Sequence, residues 1–411
     1  MRNMIASVFV LFAAGFSGLA NAVPLQINNG TFSVTTHPNP EFVAHGPTAM
    51  YKAYLKYGKT PPPALLRTVT DYRAQKKAKR ESGSVVTTPE VLDQAWLTPV
   101  QIGTPGQTLN LDFDSGSSDL WVFSSSTPAS QSRGHSVFSP GKSSTAKESP
   151  GYTWSITYGD GSSSSGTVYT DVVDVGGLSF PSQAVETANR VSPEFTQETN
   201  LDGLLGLGFS TINAVKPTAQ NTFFDNIKSD LNQPLWTVDL KHQEPGTYNF
   251  GNINSSLHTG EIHYAIVNTR RGFWTFTATS YSVGGAIGGS ITGIADTGTT
   301  LALLPTAVAK AYYSKVPDAL YDNSQGGYVF PCAASLPDFT FTVGGGEITI
   351  PGNYINYAPL TPGSKTCFGG IQGNTGIGEV IFGDVALKSA FVVFENSGDT
   401  ARIGWAKKTL G

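Results

Sequence analysis

The 411-residue chain has only two cysteines, three methionines and six histidines, and only 14% of its residues are charged. So few cysteines exclude a disulfide-dense scaffold, and neither has neighbours that would complete a thiolate metal site or activate a nucleophile. The histidines (His37, His45, His135, His242, His258 and His263) form no His-Glu-x-x-His pattern. That excludes the common zinc-protease arrangement, and no metal or cofactor is expected. The apolar run at the N-terminus is too short for a typical membrane span, and nothing later resembles one. No basic patch marks the body of the chain, so nucleic acid is not an expected partner. What is plentiful is Gly, at 46 residues, with Ser, Thr and 11% aromatics. Few segments have helical periodicity, and a β-rich globular protein is expected.

Charge is divided unevenly. Residues 1–80 carry a net +8, and residues 81–411 a net −12. A basic leader on an acidic body suggests electrostatic docking that protonation of carboxylates at low pH would weaken. On charge alone, a basic flexible linker is the alternative. Within the leader, Arg2, the apolar run Ile5 to Phe16 and the small residues Ala20-Asn21-Ala22 read as a signal peptide over residues 1–22, implying secretion. Residues 23–80 then read as an activation propeptide. They include helical patterning around Met50 to Tyr57 and the Pro61-Pro62-Pro63 run, and end in Lys76-Lys77-Ala78-Lys79-Arg80, whose basic pairs suit processing.

Beyond residue 80, short alternating apolar runs are broken by Gly, Pro, Asn and Asp. Thr98 to Ile102, Thr108 to Phe113, Tyr152 to Tyr158 and Val168 to Val175 read as strands. Asn221 to Leu231 and Pro305 to Val316 read as helices. Cys332 and Cys367, in an exported protein, are expected to pair, closing a loop of about 35 residues for roughly 2–4 kcal/mol.

An internal pseudo-repeat carries the chemistry. Leu111-Asp112-Phe113-Asp114-Ser115-Gly116-Ser117 is followed some ninety residues on by Leu204-Leu205-Gly206. Ile294-Ala295-Asp296-Thr297-Gly298-Thr299 is followed at similar separation by Ile381-Phe382-Gly383-Asp384. Each copy runs an apolar strand into Asp-Ser/Thr-Gly and later supplies an apolar pair ending in Gly. Two carboxylates brought together cannot both ionise cheaply, so they share a proton. One can then take a proton from water while the other donates to a carbonyl.

With Asp114-Ser115-Gly116-Ser117-Ser118-Asp119-Leu120-Trp121, Tyr158-Gly159-Asp160-Gly161 and Asp296-Thr297-Gly298-Thr299-Thr300, the chain resembles the pepsin-like aspartic proteases, especially their fungal secreted members, from about Leu97 onward. The resemblance implies a mostly β, bilobal fold with a cleft between two related lobes, here residues 81–260 and 261–411. It implies that Asp114 and Asp296 are catalytic at acidic pH. Ser115 and Thr297 would hydrogen-bond across the lobes, and Ser117 and Thr299 would bond the outer carboxylate oxygens. Gly116 and Gly298 are expected to permit sharp turns beside the aspartates. Tyr158, Gly159 and Asp160 would belong to a flap closing over substrate, with Trp121 bonding the flap tyrosine. Asp160 would admit Lys before the scissile bond, alongside a preference for bulky apolar residues. Lys56, in Lys56-Tyr57-Gly58, would insert between the aspartates of a self-inhibited zymogen. Expected partners are protein and peptide substrates, the chain's own propeptide and pepstatin-type inhibitors, and the enzyme is expected to be a monomer. Asn254-Ser255-Ser256 and Asn29-Gly30-Thr31 are N-glycosylation sequons. A binding protein that keeps this scaffold without hydrolysis is the competing reading, but both Asp motifs are complete.

Overall fold

The computed structural model describes residues 30–38, 43–81, 96–157, 163–196, 198–398 and 400–411. The expected signal peptide, Asn29 and the flap residues Tyr158, Gly159 and Asp160 lie outside the described residues. The structure is mostly β, as expected, and the expected strands are present and begin earlier or have wider bounds, save that Tyr158 at the end of one is not among the described residues. Trp96–Ile102, Gln107–Asp114, Lys147–Thr157 and Ser163–Val175 form consecutive antiparallel pairs or neighbours in one sheet.

The strand carrying the first aspartate shows why it forms. In Gln107–Asp114, Leu109, Leu111 and Phe113 are buried while Thr108 and Asn110 are exposed, the period-2 pattern of a strand with one face on the core. Leu111 to Asp114 pair in parallel with Gly203–Gly206, which pairs on its other side, antiparallel, with Leu120–Phe123. The second half repeats this order. Ile291–Ala295 pairs in parallel with Ile381–Phe382, which pairs antiparallel with Ala302–Leu304. The late apolar-Gly element of each repeat is therefore the middle strand of a unit whose flanking strands lead into and out of an aspartate loop. Its glycine is demanded by close approach. A Cβ at Gly206 would lie 2.5 Å from Ser118 Cα, and one at Gly383 would lie 2.1 Å from Thr299 O.

Strands Leu235–Asp239, Gly246–Phe250, Thr259–Ile266, Phe391–Asn396 and Ala401–Lys407 join the two halves through antiparallel pairing. Thr259–Ile266 spans the expected lobe boundary at 260/261. The leader strand Phe32–Pro38 completes this sheet by pairing with Gly246–Phe250, and its last two residues pair with Leu97 and Trp96. The leader is thus integrated as backbone as well as charge. Cys332 and Cys367 form a disulfide beside the antiparallel strands Gly327–Pro331 and Thr366–Gly369.

Two leader helices, Gly46–Lys56 and Pro63–Glu81, lie against the body. Met50, Leu55, Leu65 and Val69 are buried, worth about 1.5–3 kcal/mol each in apolar transfer. Thr68 Oγ1 donates to Ser324 O at 2.6 Å, and Tyr54 OH donates to Thr375 O at 2.7 Å. His45, just before the first helix, stacks on Tyr72 of the second with ring centroids 3.8 Å apart. Burial, reinforced by the Arg73 charge, lowers its pKa to about 4.

Two helices are shorter than expected. Phe223–Ile227 is five residues, capped by Thr222 Oγ1 accepting from Asp225 N–H at 3.1 Å. After it Asp230 N–H closes a turn on Ile227 O at 2.9 Å, and Asn232 N–H donates to Gly30 O at 2.8 Å before strand Leu235–Asp239 begins. The later helix is Thr306–Tyr313, with Pro305 as its N-cap rather than an early helical residue.

Candidate active site

The two aspartate loops meet where the repeated units face one another. Ser115 N–H donates to Thr297 Oγ1 at 2.9 Å, and Thr297 N–H donates to Ser115 Oγ at 3.0 Å. Each hydroxyl then donates into the opposite strand, Ser115 Oγ to Ala295 O at 2.9 Å and Thr297 Oγ1 to Phe113 O at 2.6 Å. Every one of these groups is buried, so the four bonds leave no polar atom of the crossing unmatched. Ser at 115 makes the bonds expected of it, since only the hydroxyl is required.

This brace holds Asp114 and Asp296, 1% and 0% exposed, on either side of one position. Asp114 accepts from Gly116 N–H at 2.8 Å and from Ser117 Oγ at 2.7 Å. Asp296 accepts from Gly298 N–H at 3.0 Å and from Thr299 Oγ1 at 2.5 Å. The glycines serve a purpose different from the expected turn, because neither has a positive φ. A Cβ on Gly116 would lie 2.4 Å from Asp296 Oδ1, and one on Gly298 would lie 2.3 Å from Asp114 Oδ1. Each glycine is the space that lets the opposite carboxylate approach.

Between the carboxylates lies the ammonium of Lys56, the last residue of helix Gly46–Lys56. Lys56 Nζ is 2.7 Å from Asp114 Oδ1 and 2.8 Å from Asp296 Oδ1. Burial favours the neutral amine, but the two carboxylates outweigh it and raise the Lys56 pKa. Burial likewise pushes the Asp296 carboxyl up. The Lys56 charge and hydrogen bonds from Lys56, Thr299 and Tyr57 overcome that and hold it below the ordinary range. Asp114 stays above its ordinary value, because burial and the neighbouring Asp296 charge outweigh Lys56 and Ser117.

The sequence reading missed two residues here. Tyr57 OH donates to Asp296 Oδ2 at 2.6 Å; its place directly after Lys56 was the available signal. Asp112, partly buried on the cleft wall, is pushed up to about 8 by desolvation and by the Asp114 charge. Beside Lys56 a cavity of about 460 Å³ remains, lined by Asp112, Trp121, Ile156, Phe195, Ile212 and Thr300 among others. Trp121 is buried, and its Nε1–H has no partner among the described residues, which do not include its expected partner Tyr158. Asn254 is exposed, with Oδ1 accepting from Ser256 N–H and Oγ. Among the described residues no cluster of three or more metal-ligating side chains occurs.

Two carboxylates braced on matched loops, with hydroxyl and amide donors on their flanks, form an acid–base pair able to act on one water. Sequence comparison agrees with this geometry. The family model for eukaryotic aspartyl protease matches residues 95–408. Endothiapepsin of Cryphonectria parasitica is 55% identical over 391 residues, covering 94% of this chain and 93% of that protein. Penicillopepsin-2 of Penicillium janthinellum is 50% identical over 407 residues, covering 98% and 99%. Aspergillopepsin-1 of Aspergillus fumigatus is 50% identical over 397 residues, covering 95% and 96%. With the brace, the paired aspartates and this likeness over nearly its whole length, the chain belongs to the eukaryotic aspartyl protease family and is a pepsin-like aspartic endopeptidase.

Proposed function

We propose that the chain is the self-inhibited precursor of a secreted endopeptidase that hydrolyses peptide bonds at acidic pH, with Asp114 and Asp296 as its catalytic residues. The observation that carries this reading is the single Lys56 ammonium shared at 2.7 and 2.8 Å by two carboxylates on matched loops. Once that cation leaves, the two groups face each other without a counter-charge, and one proton between them is the lowest-energy arrangement. The ionised partner takes a proton from the attacking water while the protonated one donates to the scissile carbonyl. The roles reverse as the amide breaks. The apparent pKa values belong to the pair.

In the precursor the leader occupies the dyad with Lys56 and Tyr57. Acid weakens this contact, and the sign follows from Asp296. Its pKa is depressed in the docked state, so the part of the docking that Asp296 supports is full above its undocked pKa and is lost as pH falls below it, whereas Asp114, raised in the docked state, adds nothing to that loss. Residues 1–22 direct export, residues 23–80 are removed, and the lobes are residues 81–260 and 261–411. The mature enzyme acts as a monomer on protein and peptide substrates and binds pepstatin-type inhibitors. It cuts beside bulky apolar residues, and Asp160 at the flap tip admits Lys before the scissile bond. Asp160→Thr then lowers cleavage after Lys while sparing cleavage after Phe. Asn254, exposed in a sequon, carries a glycan.

Leader-free enzyme should degrade denatured globin at acidic pH and be blocked by pepstatin. No activity after complete leader removal would sink the reading.

A further inference from the structure

Behind the cleft wall lies a second pair of carboxyl groups that the hydrolytic chemistry does not use. Asp119 immediately precedes strand Leu120–Phe123, and Glu186 stands on strand Leu178–Arg190, in register with Trp121. They are 5% and 1% exposed. One side-chain amide joins them. Asn213 Nδ2 donates to Asp119 Oδ1 and to Glu186 Oε1, each at 2.9 Å, and reaches Ser118 O at 3.1 Å. Ala214 N–H adds a donor to Asp119 Oδ1 at 2.7 Å. Among the described residues no donor reaches Glu186 Oε2. As a carboxylate, Glu186 would keep a buried, unsatisfied, charged oxygen; as a carboxylic acid it donates to Asp119, with which it makes a side-chain hydrogen bond.

Among the described residues no cation pairs with either carboxyl. The charged groups acting on it are the two carboxyls themselves and, on Asp119, the Asp114 carboxyl. Neighbouring strands present Trp121 and Val168, and the adjoining loop presents Asn213; none of these titrates in the working range. Two anions side by side in such surroundings are costly, so one proton stays between them. The segments they tie together also form the cleft, since Asp119, Trp121, Ile212 and Ala214 line the main cavity.

We propose that Asp119 and Glu186 form a second proton-sharing pair, which locks the Ser117–Trp121 segment to the Asn213–Ala214 loop and, on losing its proton, sets the alkaline limit of substrate binding and of the fold. Both are positioning residues, since neither touches the reacting atoms. Burial raises the Glu186 pKa well above its ordinary value. A raised carboxyl pKa gives stability that is full below the unfolded value. That stability is lost as pH rises through the folded one.

Glu186→Gln tests this in leader-free enzyme, because its amide N–H keeps the hydrogen bond to Asp119 and cannot ionise. The readouts are the midpoint of alkaline unfolding, followed by tryptophan fluorescence, and the pH dependence of KM and kcat measured separately. The unfolding midpoint needs no hydrolysis, so it stands apart from the assignment of Asp114 and Asp296. The expected result is an unfolding midpoint raised by about one pH unit, equivalent to about tenfold in the equilibrium per proton. The alkaline rise in KM should move with it, and kcat at the acid optimum should stay within about twofold. Asp119→Asn removes the same charge from the other side and should raise the unfolding midpoint likewise, which decides the case if Glu186→Gln does not fold. A midpoint that superimposes on the wild type in the folded variant overturns the proposal. So does a KM raised equally at every pH.

Discussion

The loop carrying Asp114 and the loop carrying Asp296 are near copies in backbone, brace and flanking donors, yet their carboxyl groups sit in different fields. Asp296 accepts one hydrogen bond more, from Tyr57 of the leader, and is held below its ordinary pKa. Asp114 has no such partner and stays above it. The lead-in strands differ too. Two residues before Asp114 stands Asp112, whereas the corresponding place before Asp296 is Ile294. The scaffold is therefore close to symmetrical, and the asymmetry is imposed by the leader and by one strand residue. The Tyr57 bond, the leader's share of that asymmetry, goes when the leader goes.

If both loops are needed equally, Asp114→Asn and Asp296→Asn should each lower turnover of leader-free enzyme by about 10³-fold or more. A variant retaining substantial activity would break the equivalence. The brace offers a gentler test. Ser115→Ala strips the acceptor from Thr297 N–H, and Thr297→Ala strips the acceptor from Ser115 N–H. Each leaves a buried donor unmatched and should cost about 1–3 kcal/mol in thermal or denaturant unfolding. The two losses should be alike; a clear inequality would mean that the two sides of the crossing are not mechanically equivalent.

The smallest expected effect concerns the far end of the leader helix. His45 has its pKa lowered to about 4 in the docked leader, against 6.5 as its ordinary value. A depressed histidine gives docking stability that is full above the ordinary value and is lost as pH falls toward the docked value. His45 thus loosens the leader in milder acid than the dyad does. His45→Phe keeps an aromatic ring against Tyr72 but cannot protonate, so the pH of half-maximal leader release should fall. An unchanged release pH would assign the acid response to the aspartates alone.

Much of this site was legible in the sequence because its parts are local. Asp-Ser/Thr-Gly-Ser/Thr specifies carboxylate, brace hydroxyl and outer donor within four residues, and the apolar-Gly element specifies the strand beside them. The disulfide was legible because Cys332 and Cys367 had no other partner. Other features depend on where distant segments meet. The need for Gly116 is set by Asp296, 180 residues away in the chain, not by a local turn. The Asp119–Asn213–Glu186 contact joins three segments with no common motif. The helix at Phe223–Ile227 gives way to a turn before Leu231, and Asn232 bonds to the leader at Gly30, a contact no periodicity encodes.

One cation shared by two matched carboxylates is the centre of the proposed inhibition, and acid activation of the Lys56→Ala precursor tests it directly. Without Lys56 the docked leader holds two buried carboxyls with no counter-charge, an arrangement that is strongly destabilised. The time course of leader release after acidification, followed by gel and by onset of globin cleavage, should be faster on the order of tenfold and should begin in milder acid. Activation kinetics indistinguishable from the wild-type precursor would contradict the account.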